Sequence, residues 1–85
     1  MEIIIIPERN IFLENVCYTP LVFGRVNKKL QQNLSSEEIK NLVDKIIKDD
    51  TTTIIKNGKN YYLQNGTVEL VINSFNYRLI TANKI

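Results

Sequence analysis

The sequence has no histidine, no tryptophan and a single cysteine among its 85 residues, and these absences exclude several kinds of site. Without a second cysteine, the chain cannot form an internal disulfide framework. A zinc site would have to use Cys17 and carboxylates alone, which is an uncommon ligand set. Cys17 also lacks a histidine that could activate it, so we interpret it as a buried, unreactive thiol. The sequence therefore indicates no metal and no cofactor.

Neither sign of charge dominates, since eleven Lys and Arg oppose nine Asp and Glu and leave a net charge of +2. A charge this small does not by itself imply binding to nucleic acid or to a membrane surface. The longest apolar run, Ile3–Ile6, is stopped by Pro7 and is too short for a signal peptide or a membrane span. We expect a cytoplasmic protein without membrane contact, with residues 1–85 forming a single domain.

The segment Met1–Ile6 is rich in β-branched residues and predicts a short strand. Four consecutive isoleucines offer both faces of such a strand to burial, so it should be covered on each side or paired within a sheet. The residues do not fix its direction in that sheet. The same segment could instead join two copies of the chain as a homodimer.

Two helices are predicted before residue 33. Glu8–Val16 has apolar residues on one side and follows Pro7, which suits a short helix. Thr19-Pro20 predicts a stronger helix start, with a capping hydroxyl and a proline where no amide donor is needed. From there to about Gln32, four apolar residues recur at helical spacing and three basic residues lie on the outward side: Val22, Phe23, Val26 and Leu30, then Arg25, Lys28 and Lys29.

The segment that follows Leu34 has the clearest helix signal in the chain. Ser35 and Glu38 have the spacing of a capping box, in which each side chain bonds the other residue's backbone amide. An apolar stripe at helical spacing then continues through Ile39, Leu42, Val43, Ile46 and Ile47. The sequence predicts a helix that ends near Asp49-Asp50.

The C-terminal half, Thr52–Ala82, has the pattern of four short strands joined by tight turns. Asn57-Gly58 and Asn65-Gly66 stand eight residues apart between apolar-rich runs, and Asn73-Ser74 follows at nearly the same spacing. Asn-Gly favours the two-residue type I′ turn, in which both central residues have positive φ. The pattern therefore predicts an antiparallel meander.

Two-residue loops at these positions would decide which residues share a face of the sheet. Ile54 would lie opposite Tyr61, and Leu63 opposite Val68. A loop at Asn73-Ser74 would place Glu69 opposite Arg78, with Tyr62 on the other side of Glu69. A loop one residue later would keep the faces and change these partners. The inward face would be almost wholly apolar, with Ile54, Tyr61, Leu63, Val68, Leu70, Ile72, Phe75, Tyr77 and Leu79. The outward face would mix polar, charged and aromatic side chains, with Ile55, Asn60, Tyr62, Thr67, Glu69, Val71, Asn76, Arg78 and Ile80.

Each main helix has one apolar stripe and the meander has one apolar face, and such elements are stable when stacked in layers. The predicted fold is therefore a two-layer α+β domain. Its two main helices pack on one face of an antiparallel four-stranded meander, with an additional N-terminal strand.

Two groups of side chains are candidates for binding. Arg25, Lys28 and Lys29 would form a basic helix face that can contact phosphate, or a face that is simply solvated. On the outward face of the sheet, tyrosine and arginine are residue types that often contribute strongly to binding. The cluster predicted there consists of Tyr62, Glu69 and Arg78, which could equally be an exposed ion pair beside an aromatic ring.

Much of the chain resembles a small bacterial family that is catalogued only as a domain of unknown function. The resemblance runs from about Phe12 to Ile85 and implies no activity. The segments that carry it are Val16–Thr19, Gly24–Leu30, Leu34–Ile39, Gly58–Tyr62 and Asn73–Thr81.

A looser resemblance is to the toxin-like ribonucleases of the RelE, BrnT and colicin-D type, which place two helices before an antiparallel sheet. Their final strand is similar to Tyr77–Thr81, and in such enzymes basic and hydroxyl side chains on the sheet stabilise the phosphate during cleavage. The resemblance implies phosphate contacts for Arg78 and Thr81 here. With Tyr62 and Lys59 added, these residues would be the catalytic set of a metal-independent ribonuclease.

The function that the sequence favours is a small non-catalytic interaction protein that binds a protein partner, with RNA as the alternative partner. An inhibitor of a host enzyme or nuclease, encoded by a phage or mobile element, is one form that such a protein could take. The second hypothesis is the ribonuclease toxin described above.

Overall fold

The computed structural model describes residues 6–85, which form three helices and four strands. The helices are α1 (Arg9–Asn15), α2 (Pro20–Leu30) and α3 (Ser36–Lys48), and the strands are β1 (Thr53–Asn57), β2 (Asn60–Asn65), β3 (Val68–Asn73) and β4 (Leu79–Lys84). The strands pair in the order β1-β2-β3-β4, each antiparallel to the next. The predicted α+β fold and the four-stranded meander are confirmed. The predicted strand Met1–Ile6 lies, apart from Ile6, outside the described residues.

Helix α1 confirms the predicted short helix and is fastened to the rest of the fold by its first residue. The Arg9 guanidinium donates hydrogen bonds to the backbone oxygens of Ile47 at 3.4 Å, Asp50 at 3.3 Å and Thr52 at 3.2 Å. These three acceptors lie at the end of α3 and in the connection to β1. One side chain therefore holds α1 against that connection.

Helix α2 begins at Pro20 as predicted, but the Thr19 side chain makes no capping hydrogen bond. The helix ends at Leu30, two residues earlier than expected, because Gln31 adopts the left-handed conformation with φ 57°. The connection to α3 is held by Asn27, whose side chain donates to Leu34 O at 2.9 Å and accepts from Leu34 N at 2.8 Å. A left-handed C-cap stops the helix without a glycine.

Helix α3 confirms the capping box. Glu38 N donates to Ser35 Oγ at 3.1 Å, and Ser35 N donates to Glu38 Oε1 at 2.9 Å. These bonds with Ser35 also lower the pKa of Glu38. The buried side of the helix consists of Ile39, Val43, Ile46 and Ile47.

We expect the substitution Ser35→Ala to lower the free energy of unfolding by about 1 kcal/mol, because it removes the acceptor for the Glu38 amide. Urea denaturation followed by circular dichroism measures the change. Ser36→Ala is the matched control, since Ser36 is an exposed residue at the first helical position. An equal loss in both variants would show that the cap bond does not stabilise the helix.

The first two turns of the meander lie one residue later than predicted. Asn57 pairs with Asn60 and Asn65 pairs with Val68, so the loops are Gly58-Lys59 and Gly66-Thr67. Within these two turns, Gly58 and Gly66 have positive φ, at 64° and 57°, and Asn57 and Asn65 do not. Glycine at the first loop position is typical of a type II′ turn rather than the predicted type I′.

This shift changes the cross-strand partners but preserves the two faces. Ile54 lies opposite Leu63 rather than Tyr61, and Leu63 lies opposite Leu70 rather than Val68. Moving a two-residue loop by one position changes the pairing by two residues, which returns each side chain to the same side of the sheet. The predicted faces are confirmed as far as Ile72.

The third turn departs further from prediction. Asn73 Oδ1 accepts the backbone N–H groups of Phe75 at 2.8 Å and Asn76 at 3.2 Å, which supports a longer turn than the predicted Asn73-Ser74 loop. Phe75, predicted to face inward, is 79% exposed in this turn. Tyr77 follows with φ 57° and packs against the core as predicted, although it precedes β4.

The longer third turn, followed by a one-residue register shift between β3 and β4, overturns the predicted pairing of Glu69 with Arg78. Ile72 lies opposite Leu79, but Val71 lies opposite Thr81, so Ile80 is an extra residue on β4. Beyond the shift, Glu69 lies opposite Asn83 on β4 and Gln64 on β2. The predicted neighbour of Glu69, Tyr62, lies opposite Val71 instead.

The core lies between the helices and the inward face of the sheet. Phe12 of α1 is at its centre, with its ring edge-on to Tyr61 at 5.0 Å and to Tyr77 at 5.6 Å between ring centroids. A second aromatic pair, Tyr18 and Phe23, stacks at 5.6 Å beside Lys40 of α3. Burial, with smaller contributions from Asp44 and Cys17, raises the pKa of Tyr18 to about 12.

Candidate binding site

A depression of about 260 Å³ lies where the first turns of α2 meet the start of β4. It brings together Arg25 and Arg78, which are 53 positions apart in the sequence. The full lining consists of Thr19, Leu21, Val22, Arg25, Arg78, Leu79 and Ile80. We call this depression the two-arginine cavity.

Arg25 reaches the cavity from the outward side of α2. Its Nη1 donates a hydrogen bond to the backbone oxygen of Ile80 at 3.2 Å, which ties the guanidinium to β4. A guanidinium has five N–H donors, so this bond leaves most of them free for another acceptor. The side chain is exposed, and its head is oriented by the backbone of the sheet.

Arg78 is held from its backbone. Its N–H donates to Asn76 Oδ1 at 2.9 Å, and its carbonyl accepts from Asn73 N at 2.9 Å. The backbone of Cys17 binds the residues on either side of Arg78. Cys17 N donates to Tyr77 O at 3.0 Å, and Leu79 N donates to Cys17 O at 2.9 Å. The connection between α1 and α2 therefore fixes Arg78 beside β4.

The base of the two-arginine cavity is apolar. Val22 and Leu79 are 2% and 1% exposed and belong to the core. Leu21, by contrast, is 81% exposed and lies off the buried stripe of α2, four residues before Arg25. Residues four apart in a helix are neighbours on its surface, so Leu21 and Arg25 form one mixed apolar and cationic edge.

Basic and acidic residues are unevenly divided between the elements of the fold. Helix α2 and the segment from Arg78 to the end of β4 contain five basic residues and no acidic residue: Arg25, Lys28, Lys29, Arg78 and Lys84. The other six Lys and Arg share the rest of the chain with all nine Asp and Glu. Because α2 packs against β4, we call the surface that carries these five residues the α2–β4 surface.

The predicted basic helix face is thus part of a larger surface. Lys28 and Lys29 are exposed in the last turn of α2, as expected, while Arg25 lines the two-arginine cavity. Lys56 lies on the inward side of β1, opposite Tyr61, and is half-buried. Lys59 is exposed in the first hairpin turn, outside α2 and β4.

The outward sheet face carries a second depression, of about 300 Å³, lined by Ile55, Asn57, Tyr62, Gln64 and Glu69. Tyr62 and Glu69 both line this depression, and Gln64 Nε2 donates to Glu69 Oε2 at 2.8 Å. Arg78 does not line this depression, since the longer third turn and the register shift together place Asn83 opposite Glu69. The predicted cluster of three is divided between two surfaces.

The four residues of the ribonuclease hypothesis are also divided. Tyr62 and Thr81 lie in one cross-strand row on the outward face, with Val71 between them. Lys59 is in a turn, and Arg78 lines the two-arginine cavity. Among residues 6–85, the Thr81 hydroxyl is buried without a hydrogen-bond partner.

Cys17 is exposed rather than buried, and its Sγ lies 3.4 Å from Asn76 O. The prediction failed because Cys17 lies in the connection between α1 and α2, where it borders β4 through its backbone. The neighbouring Val16 and Tyr18 are the partly buried residues of this segment.

Sequence reasoning missed Leu21 and Ile80 as parts of a site. Leu21 could have been noticed, since an apolar residue off the buried stripe and four positions from an arginine is typical of a contact surface. Ile80 could not, because its place in the two-arginine cavity depends on the register shift within β4.

A comparison with known protein families finds a match for most of the chain. Residues 11–83 match the model of a family described as "Protein of unknown function (DUF3781)". No curated protein and no solved structure matches the chain. In the described part of the chain, no helix is both long and apolar enough to cross a membrane.

Proposed function

The chain belongs to the DUF3781 family, and we propose that it is a non-catalytic interaction protein that binds an acidic protein partner through its α2–β4 surface. The observation that carries the proposal is the segregation of five basic residues, without an acidic one, onto two packed elements. A surface of one sign attracts and orients partners of the opposite sign, and it accelerates their association.

The mixture of apolar and cationic groups favours a protein over RNA as the partner. Leu21 stands exposed beside Arg25, and the two-arginine cavity has an apolar base. Protein interfaces combine buried apolar groups with arginine at their centre. Single-stranded RNA is bound instead by aromatic side chains that stack on bases, and none of the described residues that line this cavity is aromatic.

Affinity capture with paired charge-reversal variants tests the proposal. We expect the tagged wild-type chain to retain an acidic polypeptide from nuclease-treated lysate. The double variant R25E/R78E should lose about tenfold or more of that binding, because two attractive charges become repulsive. Binding by the wild type should also weaken as salt is raised, because salt screens exposed charges.

The matched control is K45E/K48E, which makes the same change in net charge on exposed positions of α3. These lysines border a depression shared with Asp44 and Asp49, where the charges already balance. An equal loss of binding in both double variants would show that net charge alone matters and would contradict the proposal. Capture that disappears on nuclease treatment would favour RNA instead.

The ribonuclease stays the alternative, favoured by the shared row of Tyr62 and Thr81 on the outward face. Incubation of the purified chain with labelled RNA separates the two functions. Intact RNA together with charge-dependent protein capture is the expected result. If the wild type cleaves RNA and the variant Y62F does not, the chain is a nuclease and the proposed non-catalytic function is wrong. Inhibition of a host enzyme or nuclease would be one consequence of the proposed binding.

A further inference from the structure

We propose that the two-arginine cavity receives a single carboxylate side chain, an Asp or Glu of the acidic partner, and anchors the complex there. This inference deepens the proposed function and rests on it. It names the chemical group that is bound and the place where it binds.

The Arg25 guanidinium and the backbone of Arg78 are positioned before any ligand arrives. Arg25 is oriented by its bond to Ile80 O, and the backbone of Arg78 is held by Asn73, Asn76 and Cys17. Two arginines from separate elements thus line one cavity. A fixed donor group such as the Arg25 guanidinium loses less conformational entropy on binding than a mobile one, which increases affinity.

The charges in the cavity call for an anion. Helix α2 and β4 supply no carboxylate to either arginine, so two like charges line the same space. A bound carboxylate relieves their mutual repulsion and accepts charge-assisted hydrogen bonds from both. Arginine suits this role better than lysine, because its planar fork matches the two oxygens of a carboxylate.

The size and the base of the cavity select the kind of carboxylate. A volume of about 260 Å³ lies below the range of about 300–1,000 Å³ that drug-sized ligands usually occupy. The buried Val22 and Leu79 offer an apolar surface to the methylene stem of a side chain, while the arginines face its head. A free phosphate has no apolar part that would use this surface.

Titration of the full-length chain with a hexaglutamate peptide, followed by backbone amide NMR shifts, tests the inference. We expect shifts at Leu21, Val22 and Leu79, whose side chains line the cavity. The variants R25Q and R78Q should each weaken the binding by about tenfold, because each removes charge-assisted hydrogen bonds. R78K should restore only part of the loss, since lysine keeps the charge without the fork.

The control is K28Q, which removes one positive charge from the exposed side of the same helix without touching the cavity. A loss with K28Q equal to that with R25Q would overturn the inference, because the peptide would then respond to the general field. Inorganic phosphate that shifts the same amides at lower concentration than hexaglutamate would also overturn it, in favour of a phosphate group.

The outcomes separate this inference from the proposed function. If R25E/R78E abolishes partner capture while hexaglutamate leaves the cavity amides unshifted, the carboxylate anchor is wrong and the interaction surface stands. If wild-type capture fails but hexaglutamate binds in an Arg25- and Arg78-dependent way, the acidic protein partner is wrong and the carboxylate site stands.

Discussion

Replacing Phe12 with alanine is expected to lower the free energy of unfolding by about 3–5 kcal/mol, the largest effect of any substitution considered for this fold. Phe12 is 0% exposed and makes edge-on contacts with Tyr61 and Tyr77. Alanine would remove the transfer free energy of the ring, lose both aromatic contacts and leave a cavity between α1 and the sheet. The free energy of unfolding of a small protein is typically about 5–15 kcal/mol, so the variant would lose a large part of its stability.

Urea denaturation of the wild type and the variant measures this loss. The matched control is Phe75→Ala, which removes the same atoms from a ring that is 79% exposed and should change stability by less than about 0.5 kcal/mol. If Phe12→Ala does not fold, Phe12→Leu fills most of the space and should give a smaller, measurable loss. Equal effects at positions 12 and 75 would contradict the assignment of the core.

The second large effect is expected from Thr52→Val, which should cost about 1–3 kcal/mol by leaving buried polar groups without partners. Thr52 is the buried polar residue of the described region, with 5% exposure. Its Oγ1 donates to Ile46 O at 2.6 Å and accepts from Asn65 Nδ2 at 2.9 Å. One hydroxyl therefore joins α3, the start of β1 and the end of β2.

Thermal and urea unfolding of Thr52→Val should be compared with Thr53→Val, the same exchange at the exposed first residue of β1. Valine favours strands, so the control should be neutral or slightly stabilising. Asn65 also donates to Asp49 Oδ2 at 3.0 Å, so it keeps one partner in the variant. A neutral result for Thr52→Val would show that the hydroxyl bonds do not contribute net stability.

The capping box and the two faces of the meander could be predicted because local signals determine them. Ser35 and Glu38 needed only their spacing, and the parity of the strands survived a one-residue error in each glycine turn. The third turn failed for an equally local reason. Asn73 uses its side chain to bond two following amides, and this turn competes with the two-residue loop that the spacing suggested.

The candidate site was predictable only in its components. Arg25 and Arg78 stood out by type, but their meeting requires α2 to pack along β4 and Cys17 to bridge to Arg78. Periodicity contains no information about which helix lies over which strand. The separation of Arg78 from Glu69 follows from the longer third turn, which pairs Ile72 with Leu79, and the extra residue Ile80 adds one further position that hydropathy does not reveal.

The uneven placement of basic and acidic residues affects how the molecule is oriented as it diffuses toward a binding partner. Helix α2 with Arg78 and β4 carries only positive charge, while the rest of the sequence has six basic and nine acidic residues and is net negative, so the domain has an asymmetric charge distribution. In the field of another charged body it experiences a torque as well as an attraction. It should therefore turn its α2–β4 surface toward an acidic partner during diffusion, so that collisions begin in the orientation that binding needs.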